Sequence, residues 1–314
     1  MEEGMNAAPE HIVSWSEIDT ARQCPHKHVL SYQERWRKDS SSPALNRGTS
    51  WHTMMEVWYD RTKPEDVRRQ EIYEFCNQHR DPSFRGSEDD LLWWMFEGYA
   101  DHYGDDSRNG WKIVAIELPF QVPLRYPAAD GNGRRSRIHI KGKIDLIVLW
   151  NGRLWVVDHK TCARLPTDKE LALDDQFGLY SWAMRQLGRP IFGSLHNAVR
   201  TKMPAPDSRP VDDQGRSLNK DGSVSKQQPA GSTPADRFKR TLMNRTDMEL
   251  ITVANEAFET MHTLYYKGQT ERHPNSDTCK WRCDYTETCL AGRKGQDERR
   301  LMEDYGFRVD LTRH

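Results

Sequence analysis

Two acids and an amine, Asp145, Asp158 and Lys160, stand on two apolar runs, 144–150 and 153–160, joined by Asn151-Gly152. Asn-Gly between β-branched and aromatic runs is the strongest short-range signal for a hairpin. Counting back from a Trp150–Arg153 pair sets Leu149 against Leu154, Val148 against Trp155, and Asp145 against Asp158. Directly opposed carboxylates repel, so a cation must offset them. Lys160, two residues past Asp158, shares its face because side chains alternate along a strand. A solvated hairpin end would explain a lone Asp-x-Lys. Leu146, Val148, Trp155 and Val156 instead make both strands largely apolar, which puts the acids beside a core. Hard divalent cations fit this set: Mg²⁺ and Mn²⁺ take one or two carboxylates and keep positions open for water and phosphate oxygens. An adjacent lysine can orient a water or stabilise charge on a phosphorane-like transition state.

Gly142-Lys143-Ile144-Asp145 followed by Asp158-His159-Lys160 resembles the PD-(D/E)xK nuclease superfamily, with Asp158 at the acidic position more often held by Glu. Gly48-x3-His52-x3-Glu56 resembles the glycine-histidine helix of its RecB-like exonuclease branch. Spacings of four place those residues on one helix face. Asp175-Gln176-Phe177-Gly178-Leu179-Tyr180 resembles the branch's Gln-x3-Tyr motif. Motifs in this order cover about 14–290 of the chain. The resemblance implies an α/β, restriction-endonuclease-like αβββαβ core with a central mixed sheet and flanking helical N- and C-terminal segments. It implies Mg²⁺ or Mn²⁺ held by His52, Asp145, Asp158 and the backbone carbonyl of His159, with Lys160 positioning the attacking water. Gln176 is expected to hold Lys160 or a DNA phosphate, Tyr180 to contact the strand, and Glu117 is a weaker candidate ligand.

The elements that must position these residues follow from pattern. Ser14-Trp15-Ser16 before Glu17 predicts a capped helix running towards Tyr32. A linker at 40–43 precedes a helix from about Thr49, and a charged, Trp-rich helical section reaches Tyr103. Strands are expected at 113–122 and 192–200, around the hairpin, with helical pattern over 169–187 and 242–266. The Pro-, Gly- and Ser-rich stretch 204–234 is a loop insertion, and Arg200, Lys202, Arg237, Lys239 and Arg240 around it suggest a DNA-guiding loop. No internal repeat is visible. The expected organisation is a flexible 1–13, a single domain 14–292 (helical 14–105, core 111–200, helical and cysteine-rich 240–292), and a tail 293–314.

With 314 residues, 36% hydrophobic, the chain can bury a sizeable core. A charged fraction of 30%, mean hydropathy of −0.90 and no long apolar stretch argue against a membrane span and for a cytoplasmic setting, in a bacterial or phage-infected host cell. Net charge is −1 and decides nothing about nucleic acid. Arg134, Arg135, Arg137, Lys141 and Lys143 form a basic run with no intervening acid just before Asp145, suited to phosphates.

Six cysteines in such a setting do not suggest a disulfide framework. Cys24 stands early, and Cys279, Cys283 and Cys289 late; four thiolates suit zinc or an iron-sulfur cluster. CRISPR-associated RecB-like and AddB-type nucleases carry one early and three late cysteines around a 4Fe-4S cluster. The resemblance therefore implies that cluster, with zinc the alternative. The late spacing here is Cys-x3-Cys-x5-Cys rather than those families' usual Cys-x2-Cys-x5-Cys. Cys76 reads as core packing, and Cys162 as a thiol near the site.

The functional expectation is a metal-dependent DNA exonuclease acting on ends or single strands in recombination, repair or replication. A recombinase or single-strand annealing protein, as in phage recombination pairs, would suit it as a partner. Two alternatives remain: an end-processing endonuclease within a larger complex, and a catalytically idle DNA-binding scaffold. The presence of Asp145, Asp158 and Lys160 weighs against the scaffold.

Overall fold

The computed structural model describes residues 10–38, 43–78, 91–128, 133–201, 210–214, 216–227 and 233–311. In chain order they form β1 (His11–Ser14), α1 (Trp15–Gln23), α2 (Pro25–His28), a π-helical segment (Val29–Gln33), β2 (Trp36–Lys38), α3 (Pro43–Tyr59), α4 (Glu65–Gln78) and α5 (Leu91–Tyr103). The central part carries β3 (Lys112–Arg125), β4 (Arg135–Trp150), β5 (Arg153–Cys162), α6 (Asp168–Ala172), α7 (Asp175–Gln186) and β6 (Ile191–Arg200). Then come α8 (Pro234–Arg237), β7 (Phe238–Met243), α9 (Asp247–Tyr266), α10 (Ser276–Arg282), α11 (Thr286–Arg293), α12 (Glu298–Asp304) and β8 (Phe307–Val309). The chain is of the mixed α/β class, and forms two compact units. One comprises Met1–Ser41, Phe120–Gly142 and Asp247–His314, the other Ser42–Pro119 and Lys143–Thr246.

The second unit is built on the hairpin. Asn151 and Gly152 have φ of 50° and 72°, the left-handed pair that a tight type I′ turn demands. That turn fixes the antiparallel β4–β5 register: Trp150 faces Arg153, Leu149 faces Leu154, Val148 faces Trp155, and Leu146 faces Val157. β6 returns parallel to β5, and β7 runs antiparallel to β6. Between β5 and β6 the chain forms α6, closed by a Thr167–Glu170 capping box, and α7, whose first turn is capped by Asp174 accepting from the Gln176 N–H. Nearly every position of β6 is buried, its polar Ser194, His196 and Asn197 included. Aromatic residues of α3 and α5, including Trp51, Trp58, Phe96 and Tyr99, pack with Leu146, Val148, Val157 and Leu195 into one core. Cys76 belongs to it, 1% exposed, with its thiol 3.9 Å from the Met54 sulfur.

In the first unit β1 lies parallel to the 138–141 part of β4, and β2 pairs antiparallel with β8. Ser14 caps α1 by accepting from the Glu17 N–H. The helix expected to reach Tyr32 breaks at Cys24, which is extended (φ −161°, ψ 107°). Pro25 is the cause: proline disfavours helical geometry in the residue before it and opens the next helix at its first position.

Other differences come from partners elsewhere in the chain. The pattern read as one helix from Leu242 belongs first to β7, and α9 begins at Asp247. The 293–314 stretch, expected as a tail, carries α12 and β8, and buries Met302 and Phe307 against Leu30 and Tyr285. Parts of 204–234 lie outside the described residues. The described parts hold two short antiparallel bridges, Val211–Ser217 and Leu218–Val224. Of the cations around it, Lys202 lies outside the described residues and the others are engaged in protein contacts. Arg200 donates to the Ala163 carbonyl, Arg237 lies 3.9 Å over the Trp94 ring, Lys239 meets Asp168 at 2.7 Å, and Arg240 is paired with Asp106.

Gly193, beside the register shift between Leu154 and Trp155, lets β6 pass close to its neighbours. A Cβ there would stand 2.8 Å from both the Met243 carbonyl oxygen and the Trp155 ring. Gly193→Ala is therefore expected to lower stability by about 1–3 kcal/mol in denaturant titration, as overpacked cores do.

Candidate metal centre

Antiparallel pairing delivers Asp145 and Asp158 to the position just beyond the Leu146–Val157 pair. The ladder gives way there to a side-chain contact, for the His159 backbone N–H donates to Asp145 Oδ2 at 2.8 Å. α3 brings His52 to the same oxygen, its Nδ1 at 3.2 Å. Burial works against the Asp145 carboxylate, but the bond and charge of His52 together with the His159 N–H outweigh it and hold its pKa below the usual range. Burial likewise disfavours charge on His52, and Asp145 reverses the effect, raising its pKa.

Asp158, 5% exposed, is pushed up to about 6, chiefly by burial and then by the Asp145 charge, with Lys160 opposing both. Lys160 Nζ donates to Asp158 Oδ1 at 3.0 Å. Burial tends to lower the lysine, yet the two aspartates hold it above its ordinary value. Asp158 Oδ2 also lies 3.0 Å from Nζ but outside hydrogen-bonding geometry, so a buried carboxylate oxygen is left without a hydrogen bond.

Glu117 enters from β3 in an unusual conformation. Its φ is 49°, a left-handed value that costs a non-glycine residue about 1–3 kcal/mol and is held only where surroundings enforce it. Its carboxylate pairs with Lys143, and burial raises its pKa against that pairing. Ligand atoms of His52, Glu117 and Asp145 all lie within 4.8 Å of one another. Glu117 thus stands with the main candidates. The signal available in sequence was one acid inside an apolar strand, and its backbone strain was not readable there.

Gln176 and Tyr180, four apart on α7, hydrogen-bond to each other beside this group. Burial raises the tyrosine's pKa, as does the Asp158 charge, while Lys160 acts in the opposite sense. The His159 side chain takes no part in the group: it is 2% exposed, stacks on Tyr59 with centroids 5.5 Å apart, and points to the other face of β5. Only its main chain is available here. Cys162 is pushed up to about 11, mainly by burial, and donates to the Val199 carbonyl, so it is neither nucleophile nor ligand in this state.

Residues 12–290 match the family model of the PD-(D/E)XK nuclease superfamily. This chain belongs to that superfamily. Its mixed sheet with flanking helices is consistent with the restriction-endonuclease-like fold, and membership implies a nuclease that hydrolyses DNA with divalent metal ions. No curated protein matches. Among solved structures, the chain is similar to SSO0001 with 14% identity and a TM-score of 0.38, covering 92% of this chain and 91% of that one. It is also similar to a phage-related exonuclease from Haemophilus somnus 129PT, with 12% identity and a TM-score of 0.27, covering 69% of this chain and 92% of that one. Likenesses at this level assign no activity. No helix among the described residues is long and apolar enough to cross a membrane.

The donors fit a divalent cation. Carboxylate oxygens of Asp145 and Glu117 and one imidazole form the hard, oxygen-rich set that Mg²⁺ and Mn²⁺ select, while Asp158 stands outside that 4.8 Å group and its unbonded Oδ2 is an acceptor in need of a partner.

The first unit also holds Cys24, Cys279, Cys283 and Cys289 as half-buried free thiols, and the ligand set within 4.8 Å there is His26, Cys289 and Glu298, without the other three sulfurs. The Cys24 sulfur accepts the His273 N–H at 3.4 Å, and the Cys279 sulfur accepts the Asn275 N–H at 3.4 Å. Beside Cys289, the Glu298 carboxylate meets His26 at 2.9 Å and Arg272 at 2.7 Å.

The two aspartates are expected to differ in stability when neutralised. Asp158→Asn removes a buried charge whose folded-state pKa is raised, and its melting temperature should match or exceed the wild type. Asp145→Ala strips the acceptor from the His159 N–H and should cost about 1–3 kcal/mol in metal-free buffer, measured by thermal denaturation.

Proposed function

We propose that this protein is an Mg²⁺- or Mn²⁺-dependent DNA exonuclease acting on ends or single strands, in recombination, repair or replication. The observation that carries the reading is the convergence of His52, Glu117 and Asp145, beside the Asp158–Lys160 pair. Asp145, Asp158, His52 and the His159 carbonyl would hold the cation, with Glu117 as a further ligand. Bound there, a divalent cation supplies a Lewis acid for charge developing on the phosphate oxygens. Lys160, its ammonium anchored on Asp158, would position the water that attacks phosphorus in line; the new P–O bond forms as the bond to the leaving oxygen breaks, the water passing a proton to solvent and the leaving oxygen taking one up. Gln176 and Tyr180 steady Lys160 and the strand from α7. The resemblance of the His52 and Gln176–Tyr180 motifs to the RecB-like branch supports the exonuclease assignment.

The four cysteines would hold a 4Fe-4S cluster. Four free thiols in one unit, two of them accepting backbone N–H bonds, support this assignment.

Cleavage of end-labelled single- and double-stranded DNA with Mg²⁺ or Mn²⁺ tests the first assignment. Asp145→Ala and Lys160→Ala should each lose at least about a hundredfold in rate, and chelation should abolish activity. Equal activity in all three proteins refutes the site, and cleavage of circular single strands replaces the exonuclease with an endonuclease. For the cysteines, anaerobic purification followed by metal and sulfide analysis should find iron and sulfide, both lost in Cys283→Ser. Zinc without sulfide would replace the cluster with a structural zinc site.

A further inference from the structure

Across β5, β6 and β7 three polar residues stand directly opposite one another: His159 pairs with Asn197, and Asn197 with Arg240. Alternation puts these three side chains on one face of the second unit's sheet and Asp158 and Lys160, which flank His159, on the other. All three are largely or fully buried.

Their bonds form one closed set. Asn197 Nδ2 donates to His159 Nδ1 at 2.8 Å and to the Tyr99 hydroxyl at 2.6 Å, and its Oδ1 accepts from Arg240 Nε at 3.1 Å. Because an amide nitrogen only donates, His159 Nδ1 is the acceptor, and a neutral ring carries its proton on Nε2. The Arg240 fork grips Asp106, Nη1 to Oδ1 at 2.7 Å and Nη2 to Oδ2 at 2.8 Å. Tyr59 donates to Asp106 Oδ2 at 2.8 Å while its ring stacks on His159. The guanidinium itself lies 3.5 Å from the centroid of Tyr103 and 4.7 Å from that of Trp111. Asp106 is held with φ of 62° to present its carboxylate.

This much buried polar chemistry is an expensive way to fill a core, since apolar residues of similar volume often do as well. Its product is orientation. We propose that the His159–Asn197–Arg240 row is a positioning device for the nuclease centre: it fixes the roll of β5, keeping the His159 N–H on Asp145 and Asp158, Lys160 and the His159 carbonyl aimed at the cation. Arg240 and Asn197 touch neither substrate nor cation, and act through His159. The consequence for catalysis rests on the nuclease reading above, whereas the structural effect does not.

Two variants separate positioning from simple destabilisation. Arg240→Lys keeps a charge for Asp106 but loses the fork to Asn197, and His159→Phe keeps the ring on Tyr59 but loses the Nδ1 acceptor. Hydrogen exchange at the amide of position 159 is the direct readout, and is expected to quicken about tenfold or more in either variant while amides of β6 keep their protection. Mn²⁺ affinity and kcat should fall about ten- to a hundredfold with KM for DNA within about twofold, the pattern of a lost supporting shell. The double variant should be no worse than the poorer single one, because both cut one chain of contacts. Arg153→Lys, at the start of β5 and stacked on Phe192, serves as the control and should change none of these. Unchanged exchange at position 159 in folded Arg240→Lys, or strictly additive losses, overturns the proposal. Faster exchange in a protein whose wild type neither binds Mn²⁺ nor cleaves DNA leaves the positioning device standing and removes the nuclease reading instead.

Discussion

Two carboxylates forced to the end of one hairpin govern the second unit. The Asn-Gly turn leaves no freedom in register, so Asp145 and Asp158 must share a small buried volume. The Asp145 charge helps to push the Asp158 carboxyl up, as like charges at reduced dielectric do. The surrounding sequence answers one acid at a time. Asp145 receives a backbone N–H and an imidazole, and stays ionised; Asp158 has one lysine and keeps an oxygen unbonded. The asymmetry suits a site whose last favourable interaction arrives with a cation, and explains why His52 and Lys160 come from separate elements that converge only in the fold.

The sequence was most legible where local rules act alone. The hairpin register needs only the turn and side-chain alternation, and Ser14 capping α1 needs only a hydroxyl before a helical pattern. Legibility fails where long-range partners decide. Leu242 and Met243 read as helix because their strand character comes from pairing with β6, and β2 and β8 are too short to declare themselves apart. Arg240 illustrates the same failure in chemistry. In sequence it is one cation in a basic cluster near a polar loop; in the fold it is a buried, bidentate partner of Asp106. Nothing in a local window distinguishes a solvated arginine from that one. The strain at Glu117 is also invisible until the backbone is known.

Polarity is divided between the faces of β5. The Asp158–Lys160 side keeps an unbonded carboxylate oxygen, whereas on the His159 side each donor of Asn197 and each end of the Arg240 fork has found a partner. An acceptor left open can bind, and a paired network can hold. Placing both on one strand lets a catalytic segment be reactive without being loose, since the period of two separates the tasks by a single residue.

Another consequence lies in the first unit, where β2 pairs with β8 and Cys24 shares a unit with Cys279, Cys283 and Cys289. Its parts come from both extremes of the chain. During synthesis the early strand and the first thiol emerge long before their mates, and must wait through more than two hundred residues of translation for them. The N-terminal segment therefore spends that interval unfinished, exposed to proteases and to oxidation of a lone sulfur. Completion of the unit waits on translation of residues 279–309, and a premature stop before residue 289 would leave the early half with nothing to close it.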